Sequence, residues 1–88
     1  MLQLVFLCQF EKEVKMAKKR GKNIEKLKEI IQLLVEEKSI PINNKNHKLK
    51  GNFRQYHECH IEPDWILIYK KTKTEIILVR TGTHADLF

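Results

Sequence analysis

Histidine, carboxylate and arginine side chains concentrate in two stretches of this sequence, "HECHIEPDW" at 57–65 and "RTGTHADLF" at 80–88. At the start of the apolar run 66–69 they are His60, Glu62 and Asp64, next to Trp65, and the second stretch adds Arg80, His84 and Asp86, next to Phe88. Histidine gives or takes a proton near neutral pH, and arginine stabilises the charge that develops on a phosphoryl group. This combination suits acid–base cleavage of a phosphodiester. In RNA the 2′-hydroxyl is the nucleophile, so neither a protein nucleophile nor a metal ion is required.

Metal binding and nucleophilic catalysis by the protein itself fit the sequence less well. His57 and His60 lie three apart, which on a strand directs them to opposite faces, and no C-x-x-C pair is available for a tetrahedral site. Ser39 is the only serine and lies outside any nucleophile elbow. Cys59 falls on the more apolar side of its predicted strand and is expected to be a small buried residue. We therefore predict no metal and no cofactor.

The charge balance favours a polyanionic partner. The 88 residues include 17 Lys and Arg against 11 Asp and Glu, which gives a net charge of +6. Such a basic domain is typical of nucleic-acid binding, although lysine also keeps small proteins soluble. The length predicts one domain, 1–88. Two cysteines, no signal peptide and no apolar run near the ~20 residues that span a bilayer predict a cytoplasmic protein without membrane contact.

Hydrophobic periodicity predicts the element order β-α-α-β-β-β. The predicted strands cover 2–7, 53–61, 65–71 and 75–81, and the predicted helices lie within 9–21 and 23–38. Gly21 is expected to end the first helix, and Asn23 is expected to cap the second. The segment 39–52 is predicted to be a long polar connection, of the kind that often carries function.

Two sequential helices followed by three meandering strands predict an α+β fold, a small antiparallel sheet covered on one face by the helix pair. The apolar stripe of each helix is expected in the core, and Met16 is counted with it. Residues 66–69 are predicted to be a buried strand.

Strand alternation places the polar groups on particular faces. One face of the predicted strand 53–61 is polar and consists of Arg54, Tyr56, Glu58 and His60. Arg80 follows Ile76 and Leu78 on an apolar face, so we expect its side chain to emerge at the edge of the sheet.

The stretch "HKLKGNFRQYHECHIEPDWILIYK" at 47–70, followed by "RTGTHADLF", resembles the YafQ branch of the RelE/ParE superfamily, the toxins of bacterial type II toxin–antitoxin systems. The matching elements are H-x-L-x-G, H-[VI]-x-P-D-W and R-T-G-[ST]-H-x-x-L-F, and the similarity covers essentially the whole chain. The resemblance implies a RelE-like fold. It also implies an mRNA endonuclease that acts in the ribosomal A site and is silenced by a co-encoded antitoxin.

The resemblance further implies which residues act. These are His47, His60, Asp64, Arg80, His84 and Phe88, together with the acidic residue Glu58. We assign base duty to His60, assisted by Asp64 or Glu58, and acid duty to His84. Arg80 is expected to stabilise the phosphorane-like charge, His47 to position the RNA backbone and Phe88 to stack on a base. His57 stands where the family often has arginine, and it receives no role.

Several basic residues are predicted to contact RNA without reading its sequence. In the long connection and the strand after it they are Lys45, Lys48, Lys50 and Arg54. The aromatic residue Phe88, at the end of the sequence, is also predicted to contact RNA. On and after the first helix they are Lys12, Lys15, Lys18, Lys19, Arg20 and Lys22. We expect this second group, together with Lys45, Lys48 and Lys50, to dock ribosomal RNA.

Purely structural roles are also open for several of these residues. His60 and Asp64 could form a structural pair that closes the turn around Pro63, and Arg80 could neutralise Glu58 or the C-terminal carboxylate. Two other functions are also open. One is a ParE-like toxin that binds a protein target without cutting RNA, and the other is an RNA-binding domain without catalysis.

Overall fold

The computed structural model describes residues 2–40, 47–48 and 56–87, with backbone alone at His47, Lys48 and His84. The elements in chain order are β1 (Gln3–Phe6), α1 (Cys8–Lys19), α2 (Ile24–Val35), β2 (His47–Lys48), β3 (His57–Glu62), β4 (Trp65–Lys71), β5 (Glu75–Gly82) and α3 (His84–Leu87). The predicted order β-α-α-β-β-β is confirmed, with β2 and α3 as short additions.

The sheet has the strand order β1-β5-β4-β3-β2 and is mixed rather than antiparallel. Strands β3, β4 and β5 form the predicted antiparallel meander, but β1 pairs with β5 in parallel. The prediction of an all-antiparallel sheet was therefore wrong. The strand after the helix pair, β2, runs opposite to β1, and the reversal from β2 to β3 gives β3 the direction of β1. Two reversals later β5 runs in that direction too, and it lies beside β1.

Both helices end on the same backbone motif. In α1 the amide of Lys22 donates to the carbonyl of Ala17, and Gly21 has the positive φ of 81° that this motif requires. In α2 the amide of Lys38 donates to Leu33, and here the positive φ, 58°, belongs to Glu37. At its start α2 is capped as predicted. The side chain of Asn23 accepts the amide hydrogen of Glu25 at 3.1 Å.

The core lies between the helix pair and one face of the sheet. It contains Phe10 and Ala17 of α1, Leu27, Ile30 and Leu34 of α2, and Cys59, Ile61, Trp65, Leu67, Tyr69, Ile76 and Leu78 of the sheet. Burial of each large side chain stabilises the fold by about 1.5–3 kcal/mol. Met16 was wrongly assigned to this core, since it is 51% exposed. It lies six residues after Phe10, and at 3.6 residues per turn that places it on a different side of α1.

The predicted boundaries differ from the observed ones around β3. Strand β3 begins at His57, so Tyr56 precedes it rather than lying within it. The short strand β2 lies inside the segment predicted as a connection, where it pairs His47 with Glu58 and Lys48 with His57. None of the described helices is both long and apolar enough to cross a membrane.

Candidate active site

Strand register aligns three of the predicted site residues across the sheet. His47 pairs with Glu58, Glu58 pairs with Ile68, and Ile68 pairs with Arg80. Residues directly opposite each other on antiparallel strands are close neighbours on one face. Glu58 and Arg80 are therefore held in one row by the backbone of β3, β4 and β5.

An irregularity in β5 places Arg80 in this row. Tyr69 is opposite Leu78, whereas its neighbour Ile68 is opposite Arg80, which leaves Val79 as an extra residue. The burial pattern changes at the same point, since Ile76 and Leu78 are buried but the next buried residue is Thr81. The expectation that Arg80 shares the apolar face of Ile76 and Leu78 was therefore wrong. A β-bulge shifts the alternation by one residue.

Glu58 and His60 form a close pair on β3. The Oε1 atom of Glu58 lies 2.8 Å from Nε2 of His60, and the two side chains are only 8% and 15% exposed. A buried carboxylate is costly unless it is paired and hydrogen-bonded. The pair therefore fixes an imidazole beside a carboxylate, the arrangement that general acid–base catalysis uses.

Arg80 is bound by a residue that the sequence analysis did not consider, Glu13 of α1. Nε of Arg80 donates to both carboxylate oxygens at 3.2 Å, and Nη2 donates to Oε2 at 2.7 Å. Within the described part of the chain, the partner of Arg80 is thus Glu13 and not Glu58, and the C-terminal carboxylate lies outside it. The hydrogen bond to Glu13 raises the pKa of Arg80 above its already high ordinary value, so the guanidinium stays charged.

Glu13 also closes the edge of the sheet. Strand β1 pairs with β5 only as far as Leu78, so the amide of Thr81 has no partner from β1. Oε1 of Glu13 accepts that amide hydrogen at 3.3 Å. A signal for this role was present in the sequence, because Glu13 lies three residues after Phe10 and four before Ala17, on the buried stripe of α1.

The turn that leads into α3 is held by Asp86. Its Oδ2 atom accepts the amide hydrogen of Thr83 at 3.1 Å and a hydrogen bond from Nη1 of Arg20 at 2.9 Å. The hydroxyl of Thr83 in turn accepts the amide hydrogen of Asp86 at 3.1 Å. The hydrogen bond from the Thr83 backbone, then the one from Arg20, lowers the pKa of Asp86 below 3.8. His84 is the first residue of α3 and lies between Thr83 and Asp86, so its backbone is held near Arg20, which directly follows α1.

Gly82 allows the turn to approach the strand. A Cβ atom at Gly82 would lie 3.1 Å from Cβ of Asp86 and 3.2 Å from its Oδ2 atom. Any other residue would push against the carboxylate that holds the turn. Gly82 of "RTGTHAD" is therefore needed because it has no side chain, and not because its backbone adopts a conformation that favours glycine.

A cleft of about 230 Å³ opens between α1 and the end of β5. Its lining includes Glu13, Arg20, Lys22, Trp65, Arg80 and Asp86. Trp65 is almost fully buried, and its Nε1 atom donates to the hydroxyl of Thr81 at 2.9 Å. That hydroxyl donates to the carbonyl of Ile66 at 2.8 Å, so the floor of the cleft is fixed by hydrogen bonds.

The other predicted site residues lie in different surroundings, and some lie outside the described part of the chain. Asp64 lies exposed in the turn between β3 and β4, and His57 stacks on Tyr69 with ring centroids 5.1 Å apart. Cys59 is buried as predicted, and desolvation raises its pKa to about 12. The residues predicted to contact RNA that lie outside the described part of the chain are Lys45, Lys50, Arg54 and Phe88.

Within residues 2–40, 47–48 and 56–87, no group of three or more His, Cys, Asp or Glu side chains is arranged to hold a metal ion. The arrangement that the structure does present is a histidine–carboxylate pair with an anchored arginine in the same region of the sheet. Together they define a small α+β protein that carries a buried histidine–carboxylate pair and an ion-paired arginine on its strands.

Comparison with known proteins agrees with this class. The sequence profile described as "Bacterial toxin of type II toxin-antitoxin system, YafQ" matches residues 2–88. The mRNA interferase toxin YafQ of Escherichia coli K12 is 47% identical over 81 residues, which is 91% of this chain and 88% of that protein. The chain belongs to the YafQ family of type II toxin–antitoxin toxins.

Two solved structures extend the comparison. YafQ in the Escherichia coli DinJ-YafQ toxin–antitoxin complex superposes with a TM-score of 0.93 at 43% identity, over 99% of this chain and 97% of that one. A metal-bound toxin from Helicobacter pylori gives a TM-score of 0.94 at 33% identity, with all of both chains covered. The RelE-like fold expected from the sequence is confirmed.

Proposed function

We propose that this toxin is an mRNA interferase that cuts mRNA in the ribosomal A site and so inhibits translation. The observation that carries the proposal is the 2.8 Å pair of Glu58 and His60, with Arg80 in the same cross-strand row as Glu58. The names of the Escherichia coli relatives support the same activity. We place the protein in the cytoplasm, because mRNA is translated in that compartment. Residues 1–88 act as one domain.

The proposed reaction begins with attack of a 2′-hydroxyl on the adjacent phosphorus. His60 removes the 2′ proton, and Glu58 or Asp64 stabilises the imidazolium that forms. The P–O5′ bond then breaks as His84 gives a proton to the departing 5′ oxygen. The products are a 2′,3′-cyclic phosphate and a 5′-hydroxyl, and no metal ion takes part. Arg80 stabilises the additional negative charge on the phosphorus centre while both bonds are partial.

The remaining predicted residues hold the RNA. We assign His47 to the RNA backbone and Phe88 to stacking on a base, which is worth about 1–3 kcal/mol per base for aromatic side chains. Lys45, Lys48, Lys50 and Arg54 supply contacts to phosphates. The cationic side chains of α1 are assigned to ribosomal RNA, because phosphate contacts fix the position of a protein without reading sequence.

A cognate antitoxin completes the proposal. The Escherichia coli relative has been solved as a complex of DinJ and YafQ. A net charge of +6 favours an acidic segment as the inhibitor of this toxin, since complementary charge speeds and orients association. Such a segment is expected to be disordered when free and to fold on binding. Expression of the toxin alone should stop growth, and co-expression of the neighbouring reading frame should restore it.

The reaction can be tested on ribosomes that carry a defined mRNA. Primer extension should show discrete new 5′ ends, and these ends should accept label from polynucleotide kinase without prior phosphatase treatment, as a 5′-hydroxyl does. A matched mRNA with a single 2′-deoxynucleotide on the 5′ side of the cut should remain intact at that position. Chelation of metal is not used, because ribosomes need Mg²⁺.

Each result separates the proposal from its alternatives. Cleavage of the 2′-deoxy mRNA would show that water, rather than the 2′-hydroxyl, is the nucleophile. Intact mRNA on toxin-bound ribosomes would indicate RNA binding without catalysis. Intact mRNA together with growth arrest and no ribosome binding would indicate a protein target, as in ParE-like toxins.

A further inference from the structure

We propose that Glu13 is the positioning residue for Arg80, holding the guanidinium so that its free edge faces the scissile phosphate. The inference rests on the proposed function, in that Arg80 must act on the phosphate. Glu13 lies on α1, outside the two stretches that carry the predicted catalytic residues. Its role is to orient Arg80 rather than to contact RNA.

The geometry of the pair leaves Arg80 able to bind a second anion. A guanidinium carries five N–H donors. Glu13 engages the Nε edge, through Nε and one N–H of Nη2. The N–H groups of Nη1 and the second N–H of Nη2 point away from that edge. A phosphate can therefore be bound on the opposite edge while the carboxylate stays in place.

Glu13 itself is fixed from several directions. Its side chain is 11% exposed, compared with 36% for Arg80. It also accepts the amide hydrogen of Thr81, so moving the carboxylate would break a backbone contact as well as the ion pair. The neighbouring positions Phe10 and Ala17 are buried in the core. The orientation of Arg80 is thereby tied to the packing of α1 on the sheet.

The surroundings of the pair support this role. Arg80 and Glu13 both line the cleft of about 230 Å³ beside α1, so the free edge of the guanidinium is reachable from solvent. Among the residues that the structure describes, the side-chain hydrogen bonds of Arg80 all go to Glu13. Without Glu13 a long side chain would sample many rotamers. A displacement of about 1 Å at a reacting centre can cost about 10²-fold in rate.

A double-mutant cycle on cleavage tests the inference. The variants are Glu13→Gln, Glu13→Ala, Arg80→Ala and the double variant Glu13→Ala/Arg80→Ala. For each one, single-turnover cleavage on programmed ribosomes gives a maximal rate constant and a half-saturating toxin concentration. Glu13→Gln keeps the volume and the bond to Thr81 but loses the charge. Glu11→Ala, an exposed acidic residue on the same helix, is the matched control.

The expected result is a lower rate without weaker ribosome binding. Glu13→Ala should lower the maximal rate constant about 10- to 100-fold, and Glu13→Gln should lower it less. Half-saturation should stay unchanged in both. In the Arg80→Ala background, Glu13→Ala should cause no further loss, because a positioning residue has nothing left to position. Glu11→Ala should cleave at the rate of the unmutated toxin.

A spectroscopic readout follows the same contact without cleavage. The Nε–H signal of Arg80 should exchange slowly with water in the unmutated toxin and rapidly in Glu13→Ala. Equal losses from Glu13→Ala in both arginine backgrounds would overturn the inference and leave Glu13 as a structural cap of Thr81. Full activity of Arg80→Ala would instead remove Arg80 from the site, which is a failure of the proposed function.

Discussion

The pair of Glu58 and His60 is the residue-scale feature on which the proposed chemistry depends. His60→Gln keeps a side-chain amide that can still reach Glu58, but it cannot transfer a proton. Loss of general acid–base catalysis typically costs 10²–10⁴-fold. We expect a decrease of that size in the cleavage rate constant on ribosomes, with a melting temperature close to that of the unmutated toxin.

His57→Gln is the matched control for His60→Gln. His57 lies on the same strand, but it stacks on Tyr69 instead of pairing with Glu58. The control should cut mRNA at nearly the normal rate. A loss in His57→Gln equal to that in His60→Gln would mean that both substitutions act through the strand rather than through proton transfer.

Residue types predicted the kind of chemistry, acid–base cleavage of a phosphodiester. The resemblance to the YafQ branch supplied the individual positions Glu58, His60 and Arg80. The partner of Arg80 was missed, because Glu13 is 67 residues away in sequence and carboxylates are common on helices. The bulge at Val79 was missed for a related reason. Alternation of apolar residues shows the face of a strand but not where an extra residue interrupts it.

Glu37, directly after the C-terminal end of α2, offers a direct test of backbone strain. It occupies the same position after α2 that Gly21 occupies after α1, and it has a φ of 58°. The left-handed conformation costs a residue with a Cβ atom roughly 1–2 kcal/mol. The greater freedom of glycine in the unfolded chain offsets part of that gain. Glu37→Gly should therefore stabilise the fold by about 0.5–1 kcal/mol, measured by urea unfolding.

The reverse substitution at the other helix is the control. A Cβ atom at Gly21 would meet nothing within 4 Å, so Gly21→Ala changes backbone strain without a steric clash. It should lower stability by an amount similar to the gain at Glu37. The lost pair of Glu37 with Lys71, at 3.8 Å on the surface, should matter little. Destabilisation by Glu37→Gly would show that the ion pair outweighs the strain.

The turn before α3 should respond to acid through Asp86. The pKa of Asp86 is lowered in the folded state, so its contribution is present above the ordinary value of 3.8. That contribution is lost as the pH falls through the lowered pKa. The amide signal of Thr83 should follow this titration in NMR spectra, with a midpoint below 3.8. In Asp86→Asn the pH-dependent step should disappear.

The outcome that contradicts this assignment is a Thr83 titration at or above the ordinary pKa of an aspartate. It would mean that Arg20 and the Thr83 amide do not hold the carboxylate in solution. Arg20→Gln gives an intermediate case. It removes the cation but keeps the backbone hydrogen bond, so the midpoint should rise without reaching that of a free aspartate.

Elements with strong local signals were predicted well. The helices followed from their apolar stripes and from the roles of Asn23 and Gly21, which act within a few residues. The parallel pairing of β1 with β5 did not follow, because no local pattern states which distant strand will be a neighbour. Strand β2 and helix α3 have two and four residues, too few for a period to be read.

The exposed positive charge of the molecule includes a group of lysines on α1. Lys15, Lys18 and Lys19 are exposed on one side of α1. If they contact ribosomal RNA, replacing all three with Gln should reduce the log–log salt dependence of ribosome binding by about 0.7–0.9 per lost contact. The preferred cleavage site should not change, since phosphate contacts carry no sequence information.

A control with the same loss of charge separates contact from bulk electrostatics. Lys28, Lys38 and Lys73 are exposed elsewhere on the molecule, and their replacement with Gln should leave the slope nearly unchanged. Equal effects of the two triple variants would mean that net charge, rather than the surface of α1, drives binding to the ribosome.

The parallel pairing of Gln3 with Glu75 has a consequence for how the toxin is made. When β1 and both helices have left the ribosome, β5, the strand beside which β1 must lie, has not yet emerged. Glu13 then still lacks its partner Arg80. Contacts between such distant residues form late and slowly. The sheet, and with it the ion pair of Glu13 and Arg80, is therefore completed only after β5 has left the exit tunnel.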